Sequence, residues 1–153
     1  MKKNRLTSKW TKTAAEAFGV TGAKGDKGEL FFVEAYRAAG WKVLYNGSDK
    51  VNQLKGIDVV LIDKEGNSYT VDIKNNLKPD GSFYVETNTD GWLYNPRYEN
   101  YFVSHVNPKT KTVVSYVRQV MQKYIQDIRE QSINGLIRLN ANELNFVTCK
   151  KIS

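Results

Sequence analysis

The chain reads as an α/β domain, a mixed β-sheet flanked by helices. Three observations predict this. Gly56 to Asp63 and Ser68 to Lys74 are two apolar runs separated by Lys64-Glu65-Gly66-Asn67, and Gly with Asn supplies the positive φ that a short hairpin turn needs. Glu29 to Ala39 carries apolar residues at helical spacing and is stopped by Gly40. The order along the chain is helix, several strands, helix, which packs as helices against a mixed sheet.

The 153 residues make about one domain, long enough to bury a core. No apolar run is long enough to span a membrane, and Met1-Lys2-Lys3-Asn4-Arg5 does not open a signal-peptide pattern. The lone Cys149 excludes an internal disulfide and fits a reducing, cytoplasmic compartment. With no partner base near it in sequence, Cys149 reads as a packed or surface thiol rather than a nucleophile.

The formal charge is +7 and it is lopsided. Over residues 1–28, Lys2, Lys3, Arg5, Lys9, Lys12, Lys24 and Lys27 stand against only Glu16 and Asp26. A basic arm over residues 1–26, ahead of a body over 27–153, is the electrostatic footprint of a polyanion binder. Solubilising lysines are the plainer alternative. A membrane surface fits less well, because no apolar face lies opposite these charges.

Each element follows from local chemistry. Ser8 to Phe18 reads as a short helix with Ser8 as N-cap. Gly19 to Gly28 is a glycine-rich hinge without the strand-then-helix context of a phosphate-binding loop. Leu30, Val33, Tyr36 and Ala39, with Phe31, Phe32 and Ala35 beside them, give the next helix a wide apolar surface, so it is mostly buried. Trp41 to Tyr45 is a strand, and a polar loop over 46–55 leads to the hairpin. Phe83 to Thr87 is a strand entered through the Pro79-Asp80-Gly81 turn, and Tyr101 to Val106 is another. Thr112 to Glu130 is expected to be the longest helix, with Val113, Val117, Val120, Tyr124 and Ile128 as its buried stripe and Val114, Met121 and Ile125 alongside. Leu136 to Leu139 and Phe146 to Thr148 are two short strands or extended pieces.

The hairpin gathers charge at one end. A turn centred near Glu65 and Gly66 sets Asp58 opposite or diagonal to Asp72, within roughly 5–8 Å. Side chains alternate along a strand, so Asp72 and Lys74 share one face and Val71 and Ile73 the other. Facing carboxylates destabilise a sheet. Lys74 offsets part of that cost, and a divalent cation can offset the rest; Mg²⁺ suits two carboxylates because it keeps several waters. Plain solvated charge on an exposed edge strand is the competing reading of Asp-x-Lys.

Lys27-Gly28-Glu29, Gly40-Trp41, Gly56-Ile57-Asp58 and Asp72-Ile73-Lys74, in that order, resemble the PD-(D/E)xK nuclease superfamily, and within it the small archaeal-type Holliday-junction resolvases. The resemblance covers about residues 27–76, roughly a third of the chain. Ile57 stands where the motif's name has Pro, which leaves the carboxylate in place, and residues from about 77 onward match no resolvase.

The resemblance implies a restriction-endonuclease-like core and a Mg²⁺- or Mn²⁺-dependent DNA endonuclease that hydrolyses phosphodiesters in duplex or branched DNA. Asp58, Asp72 and the backbone carbonyl of Ile73 would ligate the metal. Lys74 would orient water and offset charge on phosphorus, and Glu29 would serve a second metal or its water shell. The basic arm with Arg97 would grip DNA, and cutting two strands would favour a homodimer. Recombination, repair or bacteriophage DNA processing would suit such an enzyme, in a bacterial or phage-infected cell. A non-catalytic DNA-binding module, or a repair- or restriction-type nuclease acting on other DNA or on RNA, is the alternative.

Several residues stay open. Glu34 competes with Glu29 but lies about 140° further around the helix, and Glu86 is a further carboxylate of uncertain register. Trp92-Leu93-Tyr94-Asn95-Pro96-Arg97-Tyr98 suits either stacking on nucleotides or packing under a loop. His105 reads as a structural residue rather than a base, and Asn75 and Asn76 are candidate phosphate contacts.

Overall fold

The computed structural model describes residues 27–45 and 54–152. The expected helix at Ser8, the glycine-rich hinge up to Asp26, most of the loop after Tyr45, and Lys2, Lys3, Arg5, Lys9, Lys12 and Lys24 lie outside the described residues.

Helix α1 spans Lys27–Ala38 and buries Phe32, Val33, Ala35 and Tyr36. Its last turn closes with Trp41 N–H donating to Tyr36 O and Gly40 N–H to Arg37 O, both at 3.0 Å. Gly40 at φ 95° takes the left-handed residue of this Schellman ending at no steric cost. The helix begins two residues earlier than expected, so Gly28 belongs to its first turn rather than to a hinge. Gly28 is there for space: a Cβ would sit 2.8 Å from Asn75 Cβ and 2.9 Å from Val106 Cγ2. The N-terminus of α1 therefore lies directly against the end of the strand that carries Lys74.

Strands β1 (Lys42–Tyr45), β2 (Val59–Ile62), β3 (Ser68–Lys74), β5 (Phe102–Asn107), β6 (Thr112–Val117) and β8 (Thr148–Lys151) form one six-stranded sheet in the order β1-β2-β3-β5-β6-β8. All neighbours are antiparallel except β3 and β5, which run parallel. A parallel neighbour needs a long crossover, and the chain uses it to build β4 (Ser82–Glu86) and the loop to Tyr101. β4 pairs with β7 (Leu136–Asn140) as a separate two-stranded ribbon. The mixed sheet with a helix on each face is the predicted fold class.

The two sheet faces have separate cores. On one, Phe32, Val33 and Tyr36 of α1 cover Val43, Val59, Leu61, Val71, Ile73, Val106 and Val113. On the other, the β4–β7 ribbon and helix α2 (Arg118–Ile128) pack Phe83, Val85, Ile137, Leu139, Met121 and Ile125 with Trp92 and Leu93 onto Val103, Val114 and Tyr116.

The long helix expected over Thr112 to Glu130 is corrected. Its first part is β6, and the helix proper is α2. Asn107 Oδ1 accepts from Lys109 and Thr110 N–H, and Lys111 takes φ 57°, so residues 107–112 make a hairpin turn that returns the chain along β5. Once the turn aligns them, Val113, Val114 and Tyr116 fit a pleated surface better than a helix. The expected stripe is corrected with it. Arg118, Met121 and Ile125 are buried, whereas Val120 is 42% exposed. The final strand begins at Thr148 rather than Phe146, and Phe146 packs beside Tyr124 at a ring distance of 5.2 Å.

Candidate active site

The register of the hairpin builds the site. Val59 pairs with Val71, so the next position along brings Asp58 to Asp72. Here β2 ends. Asp58 N–H still donates to Val71 O at 2.9 Å, but the next bond to β3 is made by a side chain, Asp58 Oδ2 accepting from Ile73 N–H at 2.7 Å. That bond fixes one carboxylate beside the next.

Asp72 lies in the middle of the sheet, between β2 and β5, and is 5% exposed. The edge-strand reading of Asp-x-Lys is thereby excluded. Lys74 Nζ stands 3.3 Å from Asp72 Oδ2, at ion-pair distance but outside hydrogen-bonding geometry. Among the described residues, Asp72 Oδ2 is a buried oxygen without a hydrogen-bond partner. Burial raises the Asp72 pKa well above the usual carboxylate range; Lys74 opposes this and the neighbouring Asp58 adds to it.

Lys74 is held from a second side by the face of Trp92, whose ring centroid is 4.9 Å from Nζ. Trp92 is 7% exposed. Leu93 beside it is buried, while Arg97 is exposed, its guanidinium carbon 5.1 Å from the Tyr98 ring centroid. The aromatic run thus divides: Trp92 and Leu93 pack inward, and only its far end is available to a ligand. Lys27 is exposed at the start of α1.

Glu29 lies one residue beyond the close approach of Gly28 to Asn75, and its carboxylate accepts from Tyr45 Oη at 3.4 Å. Among the described residues no third His, Cys, Asp or Glu joins Asp58 and Asp72 closely enough to complete a metal-ligand group. Glu34 is exposed on the outer side of α1. Glu86 Oε1 sits 3.5 Å from Trp92 N–H.

His105, opposite Lys74 on β5, is fully buried. Its Nδ1 meets Asn76 Oδ1 at 2.5 Å and its Nε2 meets Tyr116 Oη at 2.7 Å. A neutral ring donating from Nδ1 and accepting at Nε2 satisfies both partners. Burial, with the charge of Lys74 nearby, pushes its pKa down to about 3. Both nitrogens are thus committed to structure. Asn76 Nδ2 also reaches Tyr84 O at 3.5 Å, and Gly28 packs on Asn75.

Sequence reasoning missed Arg118. Its buried guanidinium donates to Trp92 O, Tyr98 O and Asn95 O at 3.1, 3.2 and 3.0 Å, and so holds the aromatic loop closed. Its spacing of three and seven residues before Met121 and Ile125 was the available signal, hidden by the longer helical register assumed there. Tyr116 is also fully buried; burial, then the charge of Asp72, raises its pKa well above the ordinary value.

No protein-family profile matches the chain, and no curated protein matches its sequence. A solved structure does resemble it. The fold is similar to that of a bacterial homing endonuclease, I-Ssp6803I. The TM-score is 0.50 at 20% sequence identity, over 78% of this chain and 75% of that one. At this identity the structural likeness shows a shared fold alone.

Proposed function

We propose that this protein is a metal-dependent DNA endonuclease, with Asp58, Asp72 and Lys74 as the core of its site and Glu29 as an outlying member. The observation that carries this reading is the carboxylate pair itself. Asp72 is buried against a second carboxylate, with Oδ2 lacking a hydrogen-bond partner among the described residues and Lys74 alongside. A buried charge without full pairing is costly, and a cation between the two carboxylates would remove that cost.

Hard oxygen donors suit Mg²⁺ or Mn²⁺. Asp58 and Asp72, with the carbonyl of Ile73, would hold the ion. When bound, such an ion supplies a Lewis acid for the phosphate and a more acidic water. The chain's own residues do the rest. Lys74 Nζ donates to the attacking water or to a non-bridging phosphate oxygen and offsets the charge that grows as the water oxygen bonds to phosphorus and the P–O bond to the leaving strand breaks. Asp58 Oδ2 stays bound to Ile73 N–H, which keeps its carboxylate from rotating away. Glu29, at the start of the helix packed on the end of β3, would contact a second ion or its water shell. His105 takes no proton in this scheme, since both its nitrogens are occupied.

DNA as the substrate is supported by the net charge of +7 and by the endonuclease named for the similar fold. Lys27 and Arg97, both exposed, would grip a backbone together with the lysines and arginine of residues 1–26. Branched DNA, cut by a pair of chains acting on two strands, is the substrate this reading favours.

The test is cleavage of a four-way junction, a linear duplex and a single strand, each with Mg²⁺ or EDTA, by the wild type and Asp72→Ala. Cutting that needs Mg²⁺ and disappears in the variant is the expected result, with the junction preferred. DNA binding without cutting in both proteins would replace this reading with that of a binding module.

A further inference from the structure

We propose that Trp92 is a positioning residue, holding the Lys74 ammonium by the face of its indole ring; the proposal rests on the nuclease reading of the site. A lysine has a four-carbon stem and large rotamer freedom, so a working lysine needs to be held. Two groups flank Nζ: Asp72 Oδ2 at 3.3 Å and the Trp92 ring at 4.9 Å. They are not equivalent. Any cation drawn to Asp72 takes up part of the charge that attracts Lys74. The ring quadrupole is unaffected by this and keeps its pull on the ammonium.

The ring is itself fixed. Arg118 Nε donates to Trp92 O at 3.1 Å, and Gln122 Nε2 donates to the next carbonyl, Leu93 O, at 2.6 Å. On the ring side, His105 meets Trp92 edge-on, with centroids 6.0 Å apart and planes at 61°. The long crossover between β3 and β5 thus places an aromatic plane against the lysine of β3. This gives the buried half of the aromatic loop a role distinct from stacking on nucleotides.

The experiment changes the electronics of the ring and leaves its shape nearly intact. Tryptophans carrying one to four fluorines are introduced at position 92 of the full chain by nonsense suppression, and kcat and KM for Mg²⁺-dependent cleavage are measured. The expected result is a stepwise fall in kcat, about three- to thirtyfold across the series, with KM and melting temperature unchanged. A packing role would not follow fluorine count, so a flat kcat in folded protein overturns the proposal. Independently of activity, the Lys74 Hε protons should be shifted upfield by the ring current in the wild type and in Trp92→Phe, and not in Trp92→Leu. Wild-type Hε protons at ordinary positions would also overturn it. A wild type that shows the ring-current shift and cuts no DNA would place the failure in the nuclease reading, and the proposal would fall with it. A wild type that cuts, with a flat series, would place the failure in Trp92 alone.

Discussion

The two faces of β3 differ sharply. Val71 and Ile73 point at α1 and join a core built almost wholly of aliphatic and aromatic side chains. Asp72 and Lys74, alternating with them, point the other way, where buried His105, Tyr116 and Arg118 lie among the apolar residues. The helix face gains stability from burying apolar area. The opposite face spends some stability on buried polar groups and compensates by pairing nearly all of them. His105 uses both nitrogens and Arg118 serves three carbonyls. Among the described residues, Asp72 Oδ2 and Asn100 Oδ1 are the buried side-chain oxygens left without a hydrogen-bond partner, and the first of them falls where chemistry is proposed. One strand thus separates the apolar core from the proposed site by side-chain alternation alone.

The sharpest test of that division is Asp72→Asn. The folded-state pKa of Asp72 is raised above its unfolded value, so its favourable contribution is present below the unfolded pKa and is lost as pH rises through the folded one. In metal-free protein, above the ordinary carboxylate range, this carboxyl is a cost whether it stays protonated or ionises, and Asn should raise the melting temperature there. The same substitution should lower cleavage by about 10³-fold or more. A variant that is both less stable and fully active would break the comparison.

His105 tests the polar face through pH. Its folded pKa of about 3 lies below the ordinary histidine value of 6.5, so the stability it contributes is complete above 6.5 and falls as pH drops toward 3. The loss should be on the order of 4 kcal/mol over that range. Urea unfolding of wild type and His105→Gln between pH 7 and 4 checks it, and the variant should show the shallower slope.

Val71→Ala probes the other face one residue away from Asp72. It should cost about 2 kcal/mol in urea unfolding and leave kcat unchanged. A large fall in kcat would mean the two faces are not separable. The smallest effect is expected at the join between them. Gly28→Ala forces a methyl into Asn75 and Val106 and should cost about 1 kcal/mol after the gain in helix propensity, readable in the same unfolding experiment.

Much of this was legible from local chemistry. The hairpin register follows from its turn, and with it the placing of Asp58 beside Asp72, because a tight turn and a period of two leave little freedom. Gly40 ends α1 for a reason visible in the sequence, and the alternation that sends Val71 and Asp72 to opposite faces is geometric. Three things were decided only by tertiary structure. Thr112 to Val117 became strand because β5 offered a partner at the right register, which no helical periodicity could outweigh. Asp72 is buried because its strand is closed in between β2 and β5, with Tyr116 and Arg118 near it, and no local pattern encodes how deeply a residue lies. Trp92 meets Lys74, and Arg118 meets the Trp92 loop, across separations of 18 and 26 residues. The sequence determined which residues share a strand and a face; contacts between distant segments determined which of them are dry, and burial is what turns a pair of carboxylates into a candidate for chemistry.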